Sequence, residues 1–375
     1  MKSNKLNYNK RSLILTSISL LLIFTACEVL DKEPLNSLYQ EEVWNEPGFI
    51  FMYLNDIYLD QMPEFPFAND KVLSEEGLSD ETHYNSNEDF DGLRKKFNYG
   101  ELRKQDDVDY LNRDFYAGIS KINRLFQDIE TSPIEEDYKI YFKSQAYFLR
   151  AYAYWKQVNL QGGIPMIMEF VNPVIKGELQ SDALYIPRNK TGECIDLIIN
   201  DLDSAIKYLP PVWENEDQDY GRVTRGAALA LKGRILLFWA SPQFNPENKV
   251  ERWQRAYDAN KTALEILEFD GYGLHPSFKE LFHDCKERTK EAIFVRVYDG
   301  AYEYHSYDAK VRPSMGGAAG GGSTNNPTWE MVKAFPMLDG FPIDDTSGSF
   351  KYDTRLFWKN RDPWFEYTIA YSTCI

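Results

Sequence analysis

One stretch limits what this chain can fold into more than any other. Residues 141–165 read YFKSQAYFLRAYAYWKQVNLQGGIP. Phe142, Ala146, Leu149 and Ala153 recur at spacings of four and three, and Phe148, Tyr152 and Trp155 form a second row at the same period. Two such rows predict a helix that is apolar around most of its circumference, which belongs inside a packed array and not on its surface. Ser132, Pro133 and Glu135 read as its N-cap, first-turn proline and returning glutamate. Gly162, Gly163 and Pro165 read as its stop. Arg150 stands in the middle of the apolar run. A charge there requires a buried carboxylate or an exposed helix end as partner, because an unpaired buried charge is costly.

More helices follow from the same periodicity. Residues 47–59 bring Ile50, Tyr53, Leu54 and Ile57 to one face, and residues 109–130 do so with Phe115, Ile119, Ile122, Phe126 and Ile129. Residues 191–209 place Ile195, Ile198, Leu202 and Ile206 together, with Cys194 beside them as a small core hydrophobe. Thr224 caps residues 225–240, which end at Ser241-Pro242. Residues 250–269 are expected to turn Trp253, Ala256, Tyr257, Asn260, Leu264 and Leu267 inward. Alanines at 227, 228, 230, 256, 259 and 263 permit close helix approach. This is the packing logic of tetratricopeptide pairs, here irregularly spaced and interrupted by long insertions.

Between these helices, residues 61–105 carry no sustained period and read as a long loop, and 162–190 as an irregular crossover. Beyond Gly271 the character changes. Residues 292–298 (AIFVRVY) alternate like a strand, 299–328 form a loop containing the glycine run 316–322, 329–335 a short helix, and the end is strand-like. The expected fold is mainly α: a tetratricopeptide-like scaffold over 39–270 and a smaller irregular α+β portion over 271–375.

The N-terminus has its own logic. Lys2, Lys5, Lys10 and Arg11 precede an apolar run at 12–24 that is too short to span a bilayer comfortably. Thr25, Ala26 and Cys27 follow, similar to a bacterial lipobox. Residues 1–26 are therefore expected to be a signal peptide, Cys27 the lipidated first residue of the mature protein, and 27–38 its tether. Two or three acyl chains anchor stably where one is marginal.

The formal net charge of −16 opposes binding to nucleic acid. The other cysteines, Cys194, Cys285 and Cys374, are too dispersed for a disulfide framework or a zinc ribbon. His83, His275, His283 and His305 are scattered, and no nucleophile, phosphate-loop or metal-protease spacing occurs, so no catalytic residue, metal or cofactor is assigned. What remains is binding. The chain holds 25 Tyr, 23 Phe and 8 Trp, and two loops concentrate aromatic rings with amide and carboxylate groups. Residues 80–99 supply Glu81, Tyr84, Asn85 and Tyr99, and 298–307 supply Tyr302, Tyr304 and Tyr307. Rings stack on the C–H faces of sugars, and the polar groups meet their hydroxyls.

Four segments together resemble the SusD-like (RagB/SusD) family of outer-membrane lipoproteins. They are 145–165; 221–242 (GRVTRGAALALKGRILLFWASP); 326–344 (NPTWEMVKAFPMLDGFPID); and Arg361-Asp362-Pro363, with Trp364 where the family usually has arginine. The resemblance implies a non-catalytic, cell-surface glycan-binding lipoprotein that delivers its ligand to a TonB-dependent (SusC-like) transporter. Some relatives capture peptides instead, and a helical-repeat scaffold for partner proteins is the alternative from another class. Members usually continue past the "R-D-P" element into a further helical segment, so the resemblance also implies C-terminal truncation at Ile375.

Overall fold

The structure, a computed structural model, describes residues 43–62, 79–84, 100–101, 103, 115–172, 174–175, 178–179, 185–284, 288–298 and 325–371. Helices dominate. In chain order they are α1 (Pro47–Gln61), α2 (Tyr116–Thr131), α3 (Glu136–Gln161), α4 (Thr191–Tyr208), the short α5 (Glu216–Asp219), α6 (Arg225–Ala240), α7 (Val250–Phe269), α8 (Trp329–Ala334) and α9 (Pro363–Thr368). Two antiparallel two-stranded ladders accompany them. One pairs β1 (Thr82–Tyr84) with β4 (Asn325–Pro327), the other β2 (Val174–Ile175) with β3 (Glu178–Leu179).

The long apolar helix is the centre of the array. α1 and α2 pack on α3, α3 on α4, α4 on α6 and α6 on α7. Phe142, Ala146, Leu149 and Ala153 are fully buried, and Phe148 and Trp155 nearly so, as their spacing predicts. Tyr154 is buried too, with its hydroxyl donating to the Ile167 carbonyl (2.7 Å) and accepting from the Ile167 amide (2.8 Å). Burial pushes this phenol well above its ordinary pKa, so it remains a donor.

The helix starts differently from the expectation. Ser132 is the C-cap of α2 and donates to the Trp44 carbonyl, while Glu135 occupies the N-cap of α3 without a side-chain cap bond. One serine cannot serve both ends of a four-residue corner, and tertiary contact with Trp44 takes it. The stop is as expected. Gly162 turns the chain at φ +74°, and a Cβ on Gly163 would lie 2.1 Å from the Asn189 carbonyl oxygen. Thr224 caps α6, accepting from the Ala227 amide, and Cys194 is a free, buried thiol.

Three other expectations are corrected. On α7 the buried residues are Ala256, Ala263 and Leu267, whereas Trp253 (37%), Tyr257 (60%) and Leu264 (58%) are exposed. Residues 292–298 belong to no strand among the described residues; alternation encodes one buried side, which a segment lying on helices also satisfies. Ile293 and Phe294 pack on the core instead. The strand expected at the C-terminal end begins as α9, because Asp362 caps it by accepting from the Trp364 amide and Pro363 sits in its first turn.

A small satellite core lies beyond the array, built from Val332, Phe365 and Ile369 with Phe335, Phe357 and Trp358. Arg361 holds it together. Its guanidinium donates to the carbonyls of Val332 (2.8 Å), Phe357 (2.7 Å), Phe335 (2.5 Å) and Pro336 (3.3 Å), and lies 4.7 Å above the Phe365 ring.

Candidate functional site

The two aromatic loops singled out in the sequence meet the described structure at two anchor points. The first is the β1–β4 ladder. Thr82 pairs with Pro327, His83 with Asn326 and Tyr84 with Asn325. The Thr328 amide donates to the Glu81 carbonyl (2.9 Å), and the Thr328 hydroxyl donates to the Asp80 carbonyl. Thr328 also accepts from the Met331 amide, capping α8. One threonine thus fastens β1 to the start of α8. The ladder is absent from the sequence reading because Asn-Asn-Pro has little strand propensity, and proline cannot donate to a ladder.

The second anchor lies where α1 ends. Residues 292–298 cross α3 with Phe294 edge-on to Phe148 (5.1 Å) and to Tyr152 (6.2 Å). Arg296 donates to the Met62 carbonyl (3.3 Å) and covers Tyr298 at 5.3 Å. Lys156 donates to the Gln61 carbonyl (2.6 Å) and stands over Tyr152. The C-terminal end of α1 and the segment leading to Tyr298 are therefore fixed to the same part of α3.

Among the residues assigned from sequence, Glu81 is exposed and Tyr84 is the last residue of β1, paired at the backbone with Asn325. Asn85, Tyr99, Tyr302, Tyr304 and Tyr307 lie outside the described residues, as do Cys27 with the signal peptide and tether, and the glycine run. The structure brings the backbone of Tyr84 to β4 and that of Glu81 to Thr328 beside it.

Deeper in the scaffold, a polar network ties α1, α3 and the turn before α6. Tyr58 donates to Gln145 Oε1 (2.8 Å) and accepts from the Val223 amide (3.1 Å). Burial raises the Tyr58 phenol far above its usual range, so it stays protonated. Arg222 reaches Asn55 (2.8 Å) and Asp219 (2.9 Å) and lies 4.2 Å above the Phe51 ring. These residues hold the scaffold together.

Comparison with known proteins places this architecture. Residues 30–237 match a family model described as starch-binding and associating with the outer membrane, and residues 290–375 match the SusD family model. SusD-like protein P38 of Formosa agariphila is 27% identical over 347 residues, covering 78% of this chain and 61% of its own length. A SusD-like protein from Bacteroides fragilis superposes with a TM-score of 0.68 at 26% identity, over 89% of this chain and 62% of the other. A SusD-like carbohydrate binding protein from the same species gives 0.66 at 20% identity, over 89% and 61%, a likeness of fold. The chain spans about three fifths of the length of these relatives. On the matched models, the shared helical array and these relatives, the chain belongs to the SusD-like family.

Proposed function

We propose that this chain is a non-catalytic glycan-binding protein, held at the outer membrane by acyl chains on Cys27 and passing its ligand to a TonB-dependent transporter. The observation that carries the reading is the β1–β4 ladder. The segment with Asn85 and Tyr99 starts from it, and the segment with Tyr302, Tyr304 and Tyr307 ends on it, so two loops rich in stacking rings and hydroxyl partners share one anchor. The family description, starch-binding and associating with the outer membrane, supports both the ligand class and the location. A surface site using stacking and a few hydrogen bonds binds weakly, roughly micromolar to millimolar, which suits release to a transporter.

Calorimetry across an oligosaccharide panel, with peptides as controls, tests the site. Tyr304→Ala should weaken glycan binding and leave the melting temperature almost unchanged. Intact affinity after truncation of the tyrosines in both loops would remove this placement, and product formation would remove the non-catalytic reading. The anchor has a separate test: labelled palmitate should enter the wild-type protein and not Cys27→Ala, which should partition to the soluble fraction.

A further inference from the structure

The rotation of α9 is set by what it buries. Phe365 and Ile369, four residues apart, enter the satellite core, so Trp364, Tyr367 and Thr368 are left on the solvent side. Trp364 is 58% exposed, and its ring lies nearly parallel to that of Phe278, at 4.9 Å and an interplanar angle of 13°. Phe278 comes from a separate segment of the chain. There the His275 amide donates to Glu291 (2.8 Å), and the Ser277 hydroxyl accepts from the Glu280 amide (3.3 Å), opening the helical turn Glu280–Asp284. Phe282, 68% exposed, lies on this turn with its ring 4.9 Å from Phe278, and Tyr367 flanks Phe278 at 6.1 Å. Four rings from two segments thus meet on Phe278.

The stack covers one face of the Trp364 indole and leaves the other to solvent. Holding a large ring in place at the surface costs side-chain freedom without the burial that a core position returns. An exposed aromatic patch of this kind marks a binding surface. Shape and charge indicate what it takes. A rigid indole with one open face matches the C–H face of a pyranose. Within two positions of the four rings, the sequence places Glu280, Asp284, Asp362 and Glu366 against Lys279. Such surroundings oppose an anionic membrane surface and acidic sugars. They offer acceptors to the hydroxyls of neutral sugars.

We infer that Trp364, backed by Phe278, is a stacking platform for one pyranose unit of a neutral glycan. The inference rests on the glycan-binding reading and adds a contact to it, since none of these residues belongs to the loops at 80–99 and 298–307. Trp364 is also the residue at which this chain departs from the family's usual arginine, so the platform is a feature of this chain and not of the shared pattern. Its position is fixed from below: Arg361, just before the α9 cap, holds the carbonyls of Val332, Phe335 and Pro336 at the end of α8.

The test is calorimetry and tryptophan fluorescence on the lipid-free full chain, with malto-, laminari- and xylo-oligosaccharides as separate probes and phosphatidylglycerol vesicles as the membrane control. For at least one oligosaccharide, Trp364→Ala should lower affinity about tenfold, the loss expected of one aromatic anchor, and Trp364→Phe should retain most of it. Sugar binding should change the wild-type emission, and that change should be absent from Trp364→Phe, because the two loops contribute no tryptophan. Melting curves check that the variants fold; should Trp364→Ala not fold, the emission of Trp364→Phe decides alone. Unchanged affinity in Trp364→Ala, or an emission change that persists in Trp364→Phe, overturns the platform; if Tyr304→Ala still weakens binding, the glycan reading stands without it. Vesicle binding that depends on Trp364, with sugar affinity unchanged, overturns the platform in favour of membrane contact. Failure of the wild-type protein to bind any of the three oligosaccharides overturns both readings.

Discussion

Arg150 shows how far one residue can be read from its neighbours. A guanidinium within an apolar helix needs a partner, and the structure supplies a full set. Nε and one terminal nitrogen donate to the two oxygens of Asp201 (2.8 Å each), while the other terminal nitrogen donates to Asn123 Oδ1 (2.8 Å) and the Met168 carbonyl (2.9 Å). The Phe126 ring lies 4.5 Å from the guanidinium carbon. The need for a partner was legible. Its identity was not, because Asp201 is one acid among several on a helix 51 residues away in sequence, and only packing brings that one to Arg150. Arg150→Met should destabilise by about 3–5 kcal/mol in urea unfolding, since Asp201 is left buried without its cation. Adding Asp201→Leu should restore most of that loss. A single variant as stable as wild type would mean that the pair is not buried as described.

Helix existence was legible wherever one face repeats at 3.6 residues, and helix orientation was not always so. α7 carries apolar residues on more than one side, so periodicity alone left the choice of face open. Contact with α6 decides it: Leu267 Cδ2 would meet a Cβ on Gly226 at 2.7 Å, and Asn260 donates to the Gly233 carbonyl (3.0 Å). Leu267→Ala should therefore cost about 2–5 kcal/mol, whereas Leu264→Gln, on the exposed side, should change stability by no more than about 0.5 kcal/mol. Equal losses in denaturant titrations would put both leucines in the core and restore the face expected from sequence. The 292–298 segment failed differently. Its alternation encodes one buried side, and that side is satisfied by Phe148 and Tyr152 of α3 as well as by a strand.

At the scale of the whole molecule, the family was legible because its four segments are the parts that packing constrains most. Two of them, around Met337 and Arg361, prove to be neighbours joined by an antiparallel bridge. The proposed site was less legible, because the aromatic residues assigned to it follow no period in the sequence and the strands next to them are three residues each. Those strands also set an order of events. The Thr328–Asp80 bond joins positions 248 residues apart, and closing a loop of that length costs about 5 kcal/mol in chain entropy. A few hydrogen bonds, each contributing about 1 kcal/mol net, do not overcome that unaided. The ladder can close only after the helical array has brought its ends together, so it is the last part to form and the first to open. In native-state hydrogen exchange the Thr328 amide should exchange well before that of the buried Leu149; equal protection would mean the ladder opens only with the array. A ligand bridging the two loops favours the closed ladder, so its arrival should register as slowed exchange at Thr328 before any change in the helices.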